Sequence, residues 1–332
     1  MPNLQYLPYN RLGQTANIIV DSKPIESTVL TLSHWPESGC PPEFKADLSA
    51  EIVFNFLKSD TAESMKSSAE AVSNNHFDED GLVGIFTLLN PEAALAEKEF
   101  LLDVATAGDF GTYQNREAAQ VAFVLQAWAQ PDKSPLNRAV FRLPYDEVTG
   151  ILYEELLPRF SNLFQRVHYL EQYWKEEDLL LSFSENAIQE GSIKIEEHPH
   201  LDFSIVETPA SKEWTAALPK VSAARWTHSV CHQFAVHNAT KSSRILVSDG
   251  IRHDFYYRYE TWVETIVRKP QPRIDLKPLA AKLNKLEGKR IWNAEDIKDI
   301  VPHLNLAEKS VSKLNSKTVK EAFIEFFSAC NG

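Results

Sequence analysis

Apolar and polar positions alternate most tellingly over residues 71–91, which predict a strand, a polar turn and a helix. Ala71 and Val72 can end a buried strand. Asn74, Asn75, His76, Phe77, Asp78, Glu79 and Asp80 then crowd amides, carboxylates and an imidazole into one turn. Gly81 lets the backbone bend without steric penalty. Leu82, Val83, Ile85, Phe86, Leu88 and Leu89 make a mostly apolar helix that Asn90 and Pro91 stop.

The rest of the chain is organised around this stretch. Residues 1–30 alternate apolar and polar side chains and lead into a strand over 27–32, then a Gly- and Pro-bearing loop over 33–42. Asp47 is placed to cap a helix that continues through residues 51–57. Residues 92–103 have helical spacing, with Leu95, Phe100, Leu101 and Val104 on one face. Glycines on both sides of Asp109 predict a tight, exposed turn over 105–111. Residues 115–128 predict an amphipathic helix, and another opens at Pro144 and runs toward Trp174. Residues 175–191 predict a helix ended by Gly191, and a domain boundary is expected there. Strands are expected over 192–197, 201–206, 233–237, 244–247 and 254–259, and helices over 276–286 and 319–327.

Composition narrows the class. The chain has 332 residues, 43% hydrophobic and 24% charged, enough for two domains with real cores. No run approaches the length of a transmembrane helix. The opening residues lack a basic start followed by an apolar core, so no secretory leader is expected. Cys40, Cys231 and Cys330 are too few and too scattered for a disulfide framework, and a reducing cytoplasm is the default expectation. A net charge of −12 argues against duplex nucleic acid as a partner.

The polar turn suggests chemistry. An imidazole and two or three carboxylates at the carboxyl end of a strand repel unless something positive lies among them. A divalent cation would relieve the repulsion, and His with Asp is a usual ligand set for manganese, zinc or iron. The plainer alternative is that Asp78 and Asp80 cap the helix, for which one carboxylate suffices. A full EF-hand spacing is absent. His34, at another strand end, is a second candidate ligand or substrate contact; the plainer expectation is an exposed His34 beside a core-packed Trp35.

His76-Phe-Asp78-Glu-Asp80-Gly81, after a strand and before a helix, resembles the first motif of the DHH phosphoesterase superfamily, His-x-Asp-x-Asp-Gly/Ala. The resemblance implies metal ligation by His76, Asp78 and Asp80. It also implies a second acidic motif downstream, for which Asp109 is the choice and Asp103 the alternative. The Asp-His-His triplet of that superfamily is absent, and His168 is the sole histidine between Asp109 and residue 191. One or two manganese ions are therefore expected. A weaker resemblance, to the DHHA1 domain, places its arginine strand at Phe255-Tyr-Tyr-Arg258-Tyr-Glu260; the Gly-rich His motif is missing. Strand–helix alternation and the resemblance together give the fold class: a parallel-sheet α/β domain over residues 1–191, then a smaller α+β domain with a mainly antiparallel sheet over 192–332.

The second half has its own constellations. His228, His232 and His237, with Cys231, invite a zinc reading, but the expected strand at 233–237 would turn His237 away from His232. Substrate contact is the better functional expectation for His232 and His237, against a satisfied structural histidine for each. Arg258 can present its planar fork to a phosphate or pair with a nearby acid such as Glu260. Two functional classes follow. One is a metal-dependent phosphoesterase or pyrophosphatase acting on a small nucleotide or short oligonucleotide, using His76, Asp78, Asp80 and Asp109, with His34, His232, His237 and Arg258 contacting substrate. The other is a non-catalytic relative that binds a ligand or protein. Both leave a homodimer open and exclude a membrane partner.

Overall fold

The computed structural model describes residues 4–221, 225–308 and 310–330. The contacts divide the chain into two compact units, Met1–Lys175 with Val263–Arg268, and Glu176–Trp262 with Lys269–Gly332. The expected boundary after residue 191 lies one helix later than this division.

The first unit holds β1 (Gln5–Tyr6), β2 (Asn17–Val20), β3 (Thr28–Leu32), α1 (Ser49–Leu57), α2 (Ala62–Ser67), β4 (Ala71–Ser73), α3 (Glu79–Leu89), α4 (Pro91–Ala96), α5 (Lys98–Phe110), α6 (Arg116–Trp128), α7 (Tyr145–Leu156) and α8 (Phe160–Gln165). α9 (Glu171–Gln189) carries the chain onward. The four strands form a parallel sheet in the order β1-β4-β2-β3. β2 is buried at every position, as a central parallel strand covered on both faces must be. α3 is buried from Glu79 to Leu88 and packs against α1 and α5. Its apolar residues join Ile18, Val20, Phe54, Val104 and Phe160 in one core.

Two expectations here are corrected. Residues 92–103 are not one helix: Glu97 breaks the run into α4 and α5. The helix opening at Pro144 does not run to Trp174 but ends at Leu156, because Pro158 cannot continue an α-helical ladder.

The second unit adds β5 (Lys194–His198), β6 (Phe203–Glu207), α10 (Lys212–Ala217), α11 (Trp226–Val230), α12 (Gln233–Ala239), β7 (Arg244–Ser248), β8 (His253–Tyr257), α13 (Lys277–Glu287), β9 (Trp292–Ala294), β10 (His303–Leu306) and α14 (Ser316–Cys330). Its sheet runs β5-β6-β7-β8-β10-β9 and is antiparallel except between β6 and β7. Strand alternation splits its side chains between two cores. Phe203, Ile205, Leu246, Phe255 and Tyr257 meet α13 and α14; Val206, Ile245, Val247 and Tyr256 meet α9, α11 and α12. The strand expected over 233–237 is instead the helix α12. His232 caps it by accepting the Phe234 amide at Nδ1 (3.0 Å), and its short run of consecutive buried residues imitates a strand in sequence. No helix among the described residues is long and apolar enough to cross a membrane.

Gly84 lets α3 lie close on β2: a Cβ there would come within 2.6 Å of Val20 Cγ1. Val20 is β-branched and cannot swing aside cheaply. Gly84→Ala should therefore cost about 1–3 kcal/mol in urea unfolding, although alanine is the better helix former.

Candidate metal centre

Because β2, β3 and β4 run parallel, their carboxyl ends open on one edge of the sheet, where α/β folds usually place ligands. Asp21 follows β2, His34 lies just past β3, and His76 and Asp78 follow β4. Asp80 comes from the first turn of α3 and Asp109 from the last turn of α5. Asp21, His34, Asp80 and Asp109 are buried; His76 and Asp78 are partly exposed.

Asp21 is the hub. Its backbone takes the left-handed conformation at φ 50°, which aspartate tolerates better than most residues. Oδ1 accepts the Ser49 hydroxyl at 2.7 Å and lies 3.3 Å from His34 Nε2. Oδ2 lies 3.3 Å from His76 Nε2 and has no hydrogen-bond partner. His34 Nε2 is also 3.5 Å from Asp109 Oδ2, a second buried oxygen without a hydrogen bond. His34 Nδ1 donates to the Asp47 carbonyl at 2.6 Å, which turns Nε2 toward the carboxylates. His76 Nε2 lies 2.7 Å from Asp78 Oδ2.

The segment Val263–Arg268 returns to this unit and braces His34. The Glu264 amide donates to the His34 carbonyl at 2.8 Å, and Glu264 pairs with Lys45. Asp47 does not cap α1; its carboxylate accepts the Ile266 and Val267 amides. The cap of α1 is Asp80, whose two oxygens accept the Ser49 and Ala50 amides at 2.7 and 2.8 Å. Asp78 caps α3 by accepting the Gly81 amide at 2.9 Å.

Capping thus occupies Asp78 and Asp80; burial would raise Asp21, but hydrogen bonds and attraction from His34 and His76 hold it below the usual carboxylate range. Burial and the neighbouring Asp21 push Asp80 up to about 7. Burial and the Asp80, Asp78 and Asp21 charges push Asp109 well above the carboxylate range. Burial would lower His34, but hydrogen bonding and attraction to Asp21 raise it to about 9. Without a cation, then, the cluster must hold protons. Asp21, His34 and Asp80 offer ligand atoms within 4.8 Å of one another, and so do Asp21, His76 and Asp78. Two orphaned carboxylate oxygens among hard oxygen and imidazole donors suit a divalent metal.

The structure brings His34, His76, Asp78, Asp80 and Asp109 together. Asp21 was missed, although it ends the apolar run Ile18-Ile19-Val20 just as His34 follows its own strand. Two corrections belong here. His34 is buried rather than exposed. Asp109 is helical rather than in an exposed turn, because Gly108 lets α5 approach Glu79, whose Cβ would stand 2.5 Å from an added methyl. Asp103 lies elsewhere in function: it accepts the Gln114 and Asn115 amides ahead of α6. His168 is exposed in a short 3-10 turn.

In the second unit Glu177 Oε2 lies 2.8 Å from His228 Nε2 and 3.8 Å from His232 Nε2. His232 accepts at Nδ1, so the neutral ring carries its proton on Nε2, facing Glu177. Glu177, His228 and His232 offer ligand atoms within 4.8 Å of one another, so this unit carries a candidate metal-binding group of its own. His237 points elsewhere and meets the Tyr256 hydroxyl at 3.1 Å. Arg258 lies just past β8, is buried, and pairs with Glu260 at 2.6 Å while donating to the Thr240 carbonyl.

Fold and site define a two-unit α/β protein with a candidate metal centre at the ends of a parallel sheet. The chain belongs to a family of unknown function (DUF6687), whose model matches residues 2–323. No curated protein matches it. A solved structure described as the DHH domain of a member of a family of ribosomal proteins is similar at 14% identity, with a TM-score of 0.34, over 93% of this chain and 68% of that chain. So distant a likeness carries no weight for the chemistry.

The raised acids set a pH dependence for the metal-free protein. A carboxyl raised from 3.8 to about 7 is protonated in the folded chain after it has ionised in the unfolded one, so Asp80 withdraws stability as pH climbs between those values. His34, raised from 6.5 to about 9, contributes stability that is lost across that higher window. Urea unfolding of chelator-treated protein should therefore show stability falling from pH 5 to 9, and Asp80→Asn should lessen the slope below pH 7, where burial also holds Glu79 and Asp109 protonated.

Proposed function

We propose that the protein is a metal-dependent phosphoesterase acting on a small phosphorylated substrate. The carrying observation is Asp21, whose two oxygens face two different histidines at 3.3 Å each. Asp21, His34, Asp80 and Asp109 would hold one divalent cation; Asp21, His76 and Asp78 would hold a second. The His-x-Asp-x-Asp-Gly motif at His76–Gly81 supports the same assignment, with manganese as the expected ion. When bound, such an ion lowers the pKa of a coordinated water and polarises a phosphoryl oxygen. The chain's own part is orientation: the Asp47 carbonyl fixes the His34 ring, and the Ser49 hydroxyl fixes Asp21. Asp80 and Asp78 are held by helix amides, so neither needs to move to serve as a ligand.

A second reading, a non-catalytic binder that keeps the metal, is favoured by one observation. Arg258, His232 and His237, the side chains expected to meet substrate, are all engaged within the second unit.

Metal analysis after manganese loading should find one or two ions per chain. Asp21→Asn and the Asp78→Asn, Asp80→Asn double variant should weaken uptake by about tenfold or more. A wild-type chain that takes up no metal would sink both readings. Bound metal with no hydrolysis of nitrophenyl phosphodiesters, phosphomonoesters or pyrophosphate would leave the binder. Asp47→Ala, which frees Ile266 and Val267 and slackens the brace on His34, should weaken manganese by about tenfold in a calorimetric titration.

A further inference from the structure

The second unit carries a recess of about 640 Å³ at the end of β8, β9 and β10 that the metal centre does not use. Its floor is a row of polar side chains set by sheet register. Asp254 of β8 stands opposite Asn305 of β10, which stands opposite Asn293 of β9. Directly opposed residues share a face with their Cβ atoms about 5 Å apart, so one carboxylate and two carboxamides lie in line. Asp254 is steadied by His303 Nδ1 at 2.7 Å. Trp226 packs on the same face of the sheet and supplies an aromatic wall, with the Arg252 guanidinium 4.9 Å from the ring centre.

One donor lining the recess, Trp226 Nε1, is buried without a hydrogen-bond partner. His253 turns to the opposite face of the sheet, where its ring stacks on Trp292.

Charge decides the ligand class. Arg252 is neutralised by Asp249 and Arg225 by Glu295, while Asp254 and Glu308 add negative charge to the lining. A phosphate gains nothing there. A neutral planar ring does: its face matches an indole, and its edge of alternating donors and acceptors matches a carboxylate and two carboxamides. We propose that this recess binds the base of a nucleoside, with the ring against Trp226 and its edge on the Asp254–Asn305–Asn293 row.

The proposal is independent of the metal reading, and its test keeps the two apart. Adenosine, guanosine, cytidine and uridine are titrated into the full chain by calorimetry, with and without EDTA. At least one should bind at about 1 mM or tighter, equally well with chelator present. Trp226→Ala and Asn305→Leu should each weaken it by about tenfold. Asn293 is exposed, so Asn293→Ala gives a third variant whose folding is not at risk. Failure of all four nucleosides to bind, binding abolished by EDTA, or binding indifferent to the variants that fold, would each overturn the assignment.

Discussion

Buried carboxylates at the open end of the parallel sheet set the terms for the first unit. Two like charges 4 Å apart repel by about 4 kcal/mol at the effective dielectric of a partly solvated site. A helix cap returns only about 1 kcal/mol. Caps alone therefore cannot account for Asp21, Asp80 and Asp109 sharing one dry edge. The metal-free chain holds protons there instead, and it keeps two buried carboxylate oxygens without hydrogen bonds. His34 and His76 supply counter-charge, chiefly to Asp21, and a divalent cation would satisfy what remains.

The surrounding architecture serves close approach to that edge. Gly81 has no room for a side chain: an added Cβ would meet Asn74 Nδ2 at 2.2 Å and the Tyr153 hydroxyl at 2.6 Å, two groups joined to each other by a hydrogen bond. Gly84 presses α3 onto β2, and Gly108 brings α5 onto α3. Each missing methyl moves a carboxylate-bearing helix end toward the strand termini. The returning segment Val263–Arg268 adds a brace from far along the chain, linking the backbone of His34 and the carboxylate of Asp47 to residues more than two hundred positions away.

The second unit solves its polar problem differently. Arg244 is buried in the sheet, but its guanidinium donates to the Leu201 and Pro272 carbonyls. Arg258 has Glu260, and His237 has Tyr256. These groups are structural in their contacts, which is why charge-bearing residues in this half are weak pointers to chemistry. The recess under Trp226 differs, because its polar row comes from strand register.

The sequence by itself determined the central strand–turn–helix, the helix stop at Asn90, β3 and β4 of the first sheet, β5 to β8 of the second, and the five side chains His34, His76, Asp78, Asp80 and Asp109 of the cluster. Local pattern suffices for these, since hydrophobic period and turn chemistry are short-range. It did not yield Asp21, β1, β2, β9, β10, or the helical state of residues 105–110 and 233–239. In those places the deciding terms were long-range: Gly108 is a contact with Glu79 rather than a turn, and α12 is stabilised by burial that a short apolar run cannot assign to helix or strand. Likewise, Asp80 caps α1 rather than its own helix, and only the parallel ordering of β2, β3 and β4 put three strand ends on one edge. Which carboxylates share a dry space is a property of that packing, and no spacing along the chain encodes it.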